Sequence, residues 1–163
     1  MRKALCAVLM LSAQPVFALG VGDAAPCVVL QDIQPDATSE QDCVNARDAG
    51  TSFVLLDFFS TSCGDCSKNL PKLSALEKDI AVTTTVRLVG IDRDINSLLQ
   101  YIQVHHALID FAVALDVNRD AKQAYGVKTT PSAFVIDSNG RVIYAKEGPF
   151  DDNELETIRE LVH

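Results

Sequence analysis

The chain has 163 residues, 48% of them hydrophobic, with no tryptophan and a formal charge of -8 from 14 Lys+Arg against 22 Asp+Glu. That length suffices for one domain with a real core. The acidic balance, with no Lys/Arg cluster, excludes electrostatic capture of nucleic acid and gives no reason to expect binding to anionic lipid.

Residues 1–18 read as a targeting segment. Arg2 and Lys3 form a basic start, Ala4 to Ala13 is an apolar run broken only by Ser12, and Val16-Phe17-Ala18 carries small residues where a signal peptidase reads. This is the three-part secretory pattern, with cleavage expected after Ala18 and a domain over 19–163. An uncleaved anchor is the alternative, but the run is far shorter than the ~20 residues a span needs. Cleavage removes Cys6 and leaves Cys27, Cys43, Cys63 and Cys66. Export places this even set in a compartment that permits disulfides, the periplasm in a bacterial setting.

Asp23 to Gly50 is turn-rich and predicts an N-terminal β-hairpin extension, with a short apolar run at Cys27–Leu30. Phe53–Phe59 is almost continuously apolar and predicts a strand buried on both faces. From Cys63 to about Asp79, Leu70, Leu73, Leu76 and Ile80 recur at helical spacing, with Pro71 expected to kink the helix. Val86–Ile91 predicts a second central strand. Asp94 can cap a helix to about Leu108, its core side given by Ile95, Leu98, Leu99, Ile102 and either Val104 or His106. A short strand at Phe111–Leu115 and a short helix at Arg119–Tyr125, stopped by Gly126, follow. Ala133–Ile136 and Val142–Ala145 flank Asp137-Ser138-Asn139-Gly140, a strong hairpin turn. Asp151 opens a last amphipathic helix through Leu155, Ile158, Leu161 and Val162. The order predicts an α/β fold, a mixed central sheet with helices on both faces.

Cys63-Gly64-Asp65-Cys66 stands directly after the buried strand and opens the first helix. A lone pair of this spacing can be a zinc half-site, a redox pair or coincidence. At a helix start, orphan N–H groups and the helix dipole favour an anion, so Cys63 is the expected nucleophilic thiolate. Cys66, one turn later, is expected to be more buried and to resolve the mixed disulfide. Asp57 interrupts the apolar strand. Facing inward, it would be pushed toward the neutral acid and could pass a proton to or from Cys66 through water; the alternative is a carboxylate bonded to local backbone. Thr130-Pro131 precedes a strand. A cis proline there could place the Thr130 backbone beside the Cys63 sulfur as a dock for an extended substrate, while a trans proline at a strand start is the ordinary alternative.

Phe53-Val54-Leu55-Leu56-Asp57-Phe58-Phe59-Ser60-Thr61-Ser62-Cys63-Gly64-Asp65-Cys66 resembles the active-site segment of thioredoxins, including the Asp six residues before the first Cys and the Pro five after the second. Val21-Gly22-Asp23-Ala24-Ala25-Pro26 and the run from Tyr125-Gly126-Val127 through Thr130-Pro131 to Asn139-Gly140 resemble the exported TlpA/ResA branch. The resemblance covers most of the mature chain. It implies a thioredoxin-like fold, a cis Pro131, substrate contacts at Gly64, Asp65, Thr130 and Pro131, and thiol–disulfide exchange with protein disulfides or dithiols as partners. Reduction of exported proteins, including apocytochromes c before haem attachment, is implied; reductive work in an oxidising periplasm would in turn require an upstream membrane thiol reductant. No cofactor beyond the dithiol and no metal is expected.

Two departures bear on the chemistry. Ser62 stands where the family usually has tryptophan, and Asp65 replaces a proline or neutral residue. A carboxylate at 65 should oppose the Cys63 thiolate, which favours a reductase over an oxidase or isomerase. An acidic residue that some relatives carry after the second central strand maps onto either Asp92 or Asp94. Further alternatives are a thioredoxin-fold binding module with an idle pair, and a one-cysteine peroxidase, which the paired motif argues against. Cys27 and Cys43 could form a structural disulfide contributing roughly 3 kcal/mol. A second redox couple, free thiols or a four-cysteine zinc site are the alternatives. His105-His106 looks like a metal pair, but adjacent helical residues point about 100° apart, so a solvated or half-buried helix face is the simpler reading.

Overall fold

The computed structural model describes residues 19–33 and 50–163. Six strands form one mixed sheet: β1 (Gln31–Asp32), β2 (Phe53–Phe59), β3 (Thr84–Gly90), β4 (Ala112–Leu115), β5 (Ser132–Asp137) and β6 (Val142–Glu147), in the spatial order β1-β4-β3-β2-β5-β6. The helices are α1 (Gly64–Ile80), α2 (Ile95–Val104), α3 (Asp120–Ala124) and α4 (Asp152–Val162). β2 lies parallel to β3 and antiparallel to β5, with Asp57 opposite Leu88 on one side and Ala133 on the other. This central place accounts for its unbroken apolar run, since a strand hydrogen-bonded on both edges and covered on both faces meets no water.

The alternation of β2 separates two cores. Leu55 and Phe59 pack with Leu70, Leu73, Leu76 and Ile80 of α1, Leu98 of α2, and Leu155, Ile158 and Val162 of α4. Val54, Leu56 and Phe58 face Ala121 of α3, Tyr125, and Val28 and Leu30 of the N-terminal segment. Helices therefore cover both faces, as the sequence predicts. α1 continues through Pro71 to Ile80.

Local chemistry sets the ends. The Asp137 carboxylate accepts the N–H groups of Asn139 and Arg141, both at 2.9 Å, and Gly140 takes φ 74°, closing the β5–β6 hairpin. Asp151 and Glu154 form a reciprocal capping box at the start of α4. Asp94 caps α2 through the N–H groups of Asn96 and Ser97.

Two expectations need revision. α2 ends at Val104 rather than near Leu108, and it buries only Leu98 and Tyr101; Ile95, Leu99 and Val104 are exposed. Ile102 packs partly buried against the same core as Leu98, so the expected core side holds at these two positions, and Leu98 approaches β3 so closely that a Cβ at Gly90 would lie only 3.2 Å from it. The described part of the N-terminal extension pairs with the body of the domain: β1 runs antiparallel to β4, and Ala24 bridges Arg141. The remainder of the expected hairpin and the signal segment, residues 34–49 and 1–18, lie outside the described residues.

Candidate active site

Cys63 is the N-cap of α1, with extended backbone (φ -86°, ψ 108°), and its Sγ accepts the Cys66 N–H at 3.0 Å. The role follows from the chain: β2 ends at Phe59, Ser60–Ser62 turn, and the Cys63 N–H returns to the Ser60 carbonyl at 3.0 Å. Cys63 and Cys66 are disulfide-bonded, with Cα atoms 5.3 Å apart. Cys63 is half-buried, while Cys66 is enclosed in the α1 core. A reagent in solvent therefore meets position 63 first.

Thr130-Pro131 is cis and sits against this pair, the Thr130 carbonyl oxygen 3.3 Å from Cys63 Sγ. Pro131 is buried and Thr130 half-buried. The loop is braced from two sides. Ser132 Oγ donates to the Thr129 carbonyl at 2.7 Å, and the Gly148 N–H donates to the Pro131 carbonyl at 2.8 Å.

Asp57 lies on the face of β2 shared by Leu55 and Phe59, which is the face of α1 and Cys66. It is 3% exposed, and burial pushes its carboxyl up to about 8 against the opposing effect of a hydrogen bond from Asn69. Oδ2 is 3.5 Å from Asn69 Nδ2, and Oδ1 has no hydrogen-bond partner among the described residues. Burial, partly countered by a Ser67 hydrogen bond, and the Asp57 charge raise the nearby Tyr101 phenol.

Gly64 and Asp65 are exposed on the first turn. Asp65 reaches the Lys68 ammonium at 3.1 Å with both side chains largely in water. Screening and the Lys68 charge therefore weaken the opposition to a Cys63 anion expected from the sequence. Of the two acids after β3, Asp94 is spent on the α2 cap, whereas Asp92 holds the cysteine loop: it accepts the Ser60 hydroxyl at 2.9 Å and the Thr61 N–H at 2.8 Å. A cavity of about 280 Å³ opens beside Thr61, walled by Ser97, Gln100, Tyr101, Val104 and His105 of the α2 side.

Cys27 is disulfide-bonded. Cys43 lies outside the described residues. His105 stacks on Tyr101 with ring centroids 4.4 Å apart, and His106 Nδ1 lies 3.0 Å from the Gln103 carbonyl, so the two imidazoles diverge. Among the described residues, no group of three or more His, Cys, Asp or Glu is placed to hold a metal ion.

Reading the sequence did not single out Asn69. The signal was present: Asn69 is a polar residue on the buried stripe of α1, next to Leu70 and one turn from Cys66 and Leu73. The part played by Asp92 was open between two residues because its partners are some thirty positions away in the chain.

The family model for AhpC/TSA matches residues 21–145. The thiol-disulfide oxidoreductase ResA of Bacillus thuringiensis subsp. konkukian is 27% identical over 136 residues, covering 83% of this chain and 75% of the relative. ResA of Bacillus subtilis is 24% identical over 141 residues, 86% of this chain and 75% of the relative. Among solved structures, a putative thiol:disulfide interchange protein DsbE from Chlorobium tepidum superposes with a TM-score of 0.65 at 28% identity, covering 87% of this chain and 94% of that one. The thioredoxin domain of a Bacteroides vulgatus thiol-disulfide oxidoreductase superposes with a TM-score of 0.73 at 20% identity, over 89% and 99%. With the cysteine pair at the head of α1 and the cis proline against it, these similarities place the chain in the AhpC/TSA family, as a thioredoxin-fold, ResA/TlpA-like thiol–disulfide oxidoreductase.

Proposed function

We propose that the protein is an exported reductase of protein disulfides, working in the periplasm or an equivalent compartment and recharged by a membrane thiol reductant. The observation that carries this reading is the division of labour between the two sulfurs. Cys63 Sγ is reachable and receives the Cys66 N–H at the head of a helix, while Cys66 is enclosed on the face of the sheet that also carries the buried Asp57.

The reaction uses only the chain's own groups. Reduced Cys63, as thiolate, attacks one sulfur of a substrate disulfide; a Cys63–substrate bond forms and the other substrate sulfur leaves as thiolate and takes a proton from water. Asp57 carboxylate then takes the Cys66 proton, through water. The Cys66 thiolate attacks Cys63 Sγ, the Cys63–Cys66 bond forms, and the second substrate thiolate departs. Two electrons have moved from the protein dithiol to the substrate. Burial favours neutral Asp57, yet with its titration near 8 both forms are present around neutral pH, as acceptance and return of a proton require. The Thr130 carbonyl and the exposed Gly64–Asp65 turn are the surfaces against which an extended substrate would lie. Apocytochromes c fit as substrates, being exported chains whose thiols must be reduced before use. Cys27 with Cys43 serves as a structural disulfide in this reading.

Cys66→Ala tests the scheme. It should hold partners on Cys63 as mixed disulfides that mass spectrometry identifies in an extract of the exported fraction. An absence of adducts, with no turnover of insulin by the parent protein, would leave the fold as a binding module. A glutathione redox titration settles the direction: a potential near thioredoxin's supports the reductase, and one near the disulfide-forming enzymes supports an oxidase or isomerase.

A further inference from the structure

Asn69 is 1% exposed and stands one turn beyond Cys66 on the core face of α1. An amide so enclosed is expensive unless its polar groups are bonded. Its Oδ1 accepts the Phe150 N–H at 2.9 Å. A backbone N–H can only donate, so this bond fixes which end of the amide is the oxygen. The NH2 end is thereby turned to Asp57, and it too can only donate.

Neutral Asp57 must carry one proton on one of two oxygens. A proton on Oδ2 would set two donors against each other and forfeit the Asn69 bond. A proton on Oδ1, which has no partner among the described residues, leaves that bond intact. We propose that Asn69 is a positioning residue that makes Oδ1 the atom at which Asp57 holds and exchanges its proton. The inference rests on the reading of Asp57 as the proton carrier for Cys66. It adds that the carrier has a fixed polarity, with one oxygen engaged and the other available. The reference for that polarity is the segment after β6, whose Gly148 N–H also braces the Pro131 carbonyl of the docking loop.

Among the described residues, Asn69 is the side chain that hydrogen-bonds the Asp57 carboxyl. From α1 comes Asn69, with Cys66 in the core on the same face of the sheet, and from α2 the Tyr101 phenol, which feels the Asp57 charge. Leu88 of β3 and Ala133 of β5, its cross-strand neighbours, are apolar. Beyond Ala133, Lys146 of β6 is ion-paired to Glu154 of α4. A donor bonded to the ionised form favours it, so losing Asn69 should move the Asp57 titration up.

The test is the pH dependence of the resolving step, followed in stopped flow as release of thionitrobenzoate from its mixed disulfide with Cys63. Asp57→Asn should remove the limb due to the carboxylate. Asn69→Leu should keep that limb but shift its midpoint upward by about half a unit or more. A merely structural Asn69 would lower stability without moving the midpoint. If Asp57→Asn leaves the profile unchanged, the reading of Asp57 fails. If Asp57→Asn removes the limb but Asn69→Leu leaves the midpoint in place, the positioning role is overturned. Should Asn69→Leu not fold, the infrared difference between wild type and Asp57→Asn decides. A neutral-acid carbonyl band at a hydrogen-bonded frequency is expected, and one at the free-carbonyl frequency overturns the proposal.

Discussion

Asp57 stands between Leu88 and Ala133 in the middle of the sheet, where a carboxylate has little to solvate it. Its titration lies near 3.8 in the open chain and about 8 in the folded one. Between those values the folded protein holds the extra proton. Stability therefore declines as pH rises through this window, by up to about 1.4 kcal/mol per pH unit, and the loss is complete above the folded value. Asp57→Asn keeps the shape and removes the titration. Its stability relative to wild type should rise steadily from mildly acidic to mildly alkaline pH. Denaturant melts of the oxidised proteins across that range check this, and a constant difference would show that Asp57 does not titrate in this window. The same burial that costs stability leaves an acid able to exchange a proton near neutral pH. The site is thus a local weakness of the fold that its chemistry can use.

The elements differ in how much of them the sequence disclosed. β2 was legible because a short apolar run rich in Phe and bounded by turn residues fits a doubly covered strand. The β5–β6 turn was legible because Asp137 and Gly140 are bonded within their own loop. The cysteine loop was legible in its sulfurs and not in its brace, since the contact of Asp92 with Ser60 and Thr61 depends on two strand ends meeting in space. α2 was legible in its cap and misjudged in its face. Apolar spacing marks which side of a helix is greasy, but it does not reveal how wide the contact will be. Here Leu98, Tyr101 and Ile102 face the core while Ile95, Leu99 and Val104 stay exposed. Leu98 is 0% exposed and Leu99 46%. Leu98→Ala should cost about 2–5 kcal/mol, whereas Leu99→Ala should stay within about 0.5 kcal/mol. Paired urea titrations distinguish the two positions, and equal losses would mean that α2 lies flatter on the sheet than its exposure pattern implies.

At the scale of the whole molecule, the site depends on a helix that carries none of its reacting atoms. α4 closes the same face of the sheet as α1, placing Leu155, Ile158 and Val162 in the core that contains Cys66. Arg159 of α4 reaches Asp79 of α1 at 2.9 Å, and Lys72 of α1 donates to the Phe150 carbonyl at 2.7 Å, just before α4 begins. Phe150 also supplies the N–H that orients Asn69. Packing of α4 and enclosure of the resolving sulfur are therefore one structural condition. Ile158 is 0% exposed, so Ile158→Ala should cost about 2–5 kcal/mol, a large share of the ~5–15 kcal/mol typical of a domain. The denaturation midpoint should fall with an unchanged slope, because the surface exposed on unfolding is nearly the same. In the reduced variant, alkylation of Cys66 should quicken by far more than that of Cys63, which is already within reach of solvent. Loss of stability with Cys66 still protected would mean that α4 opens without α1, as two separate units of the fold rather than one.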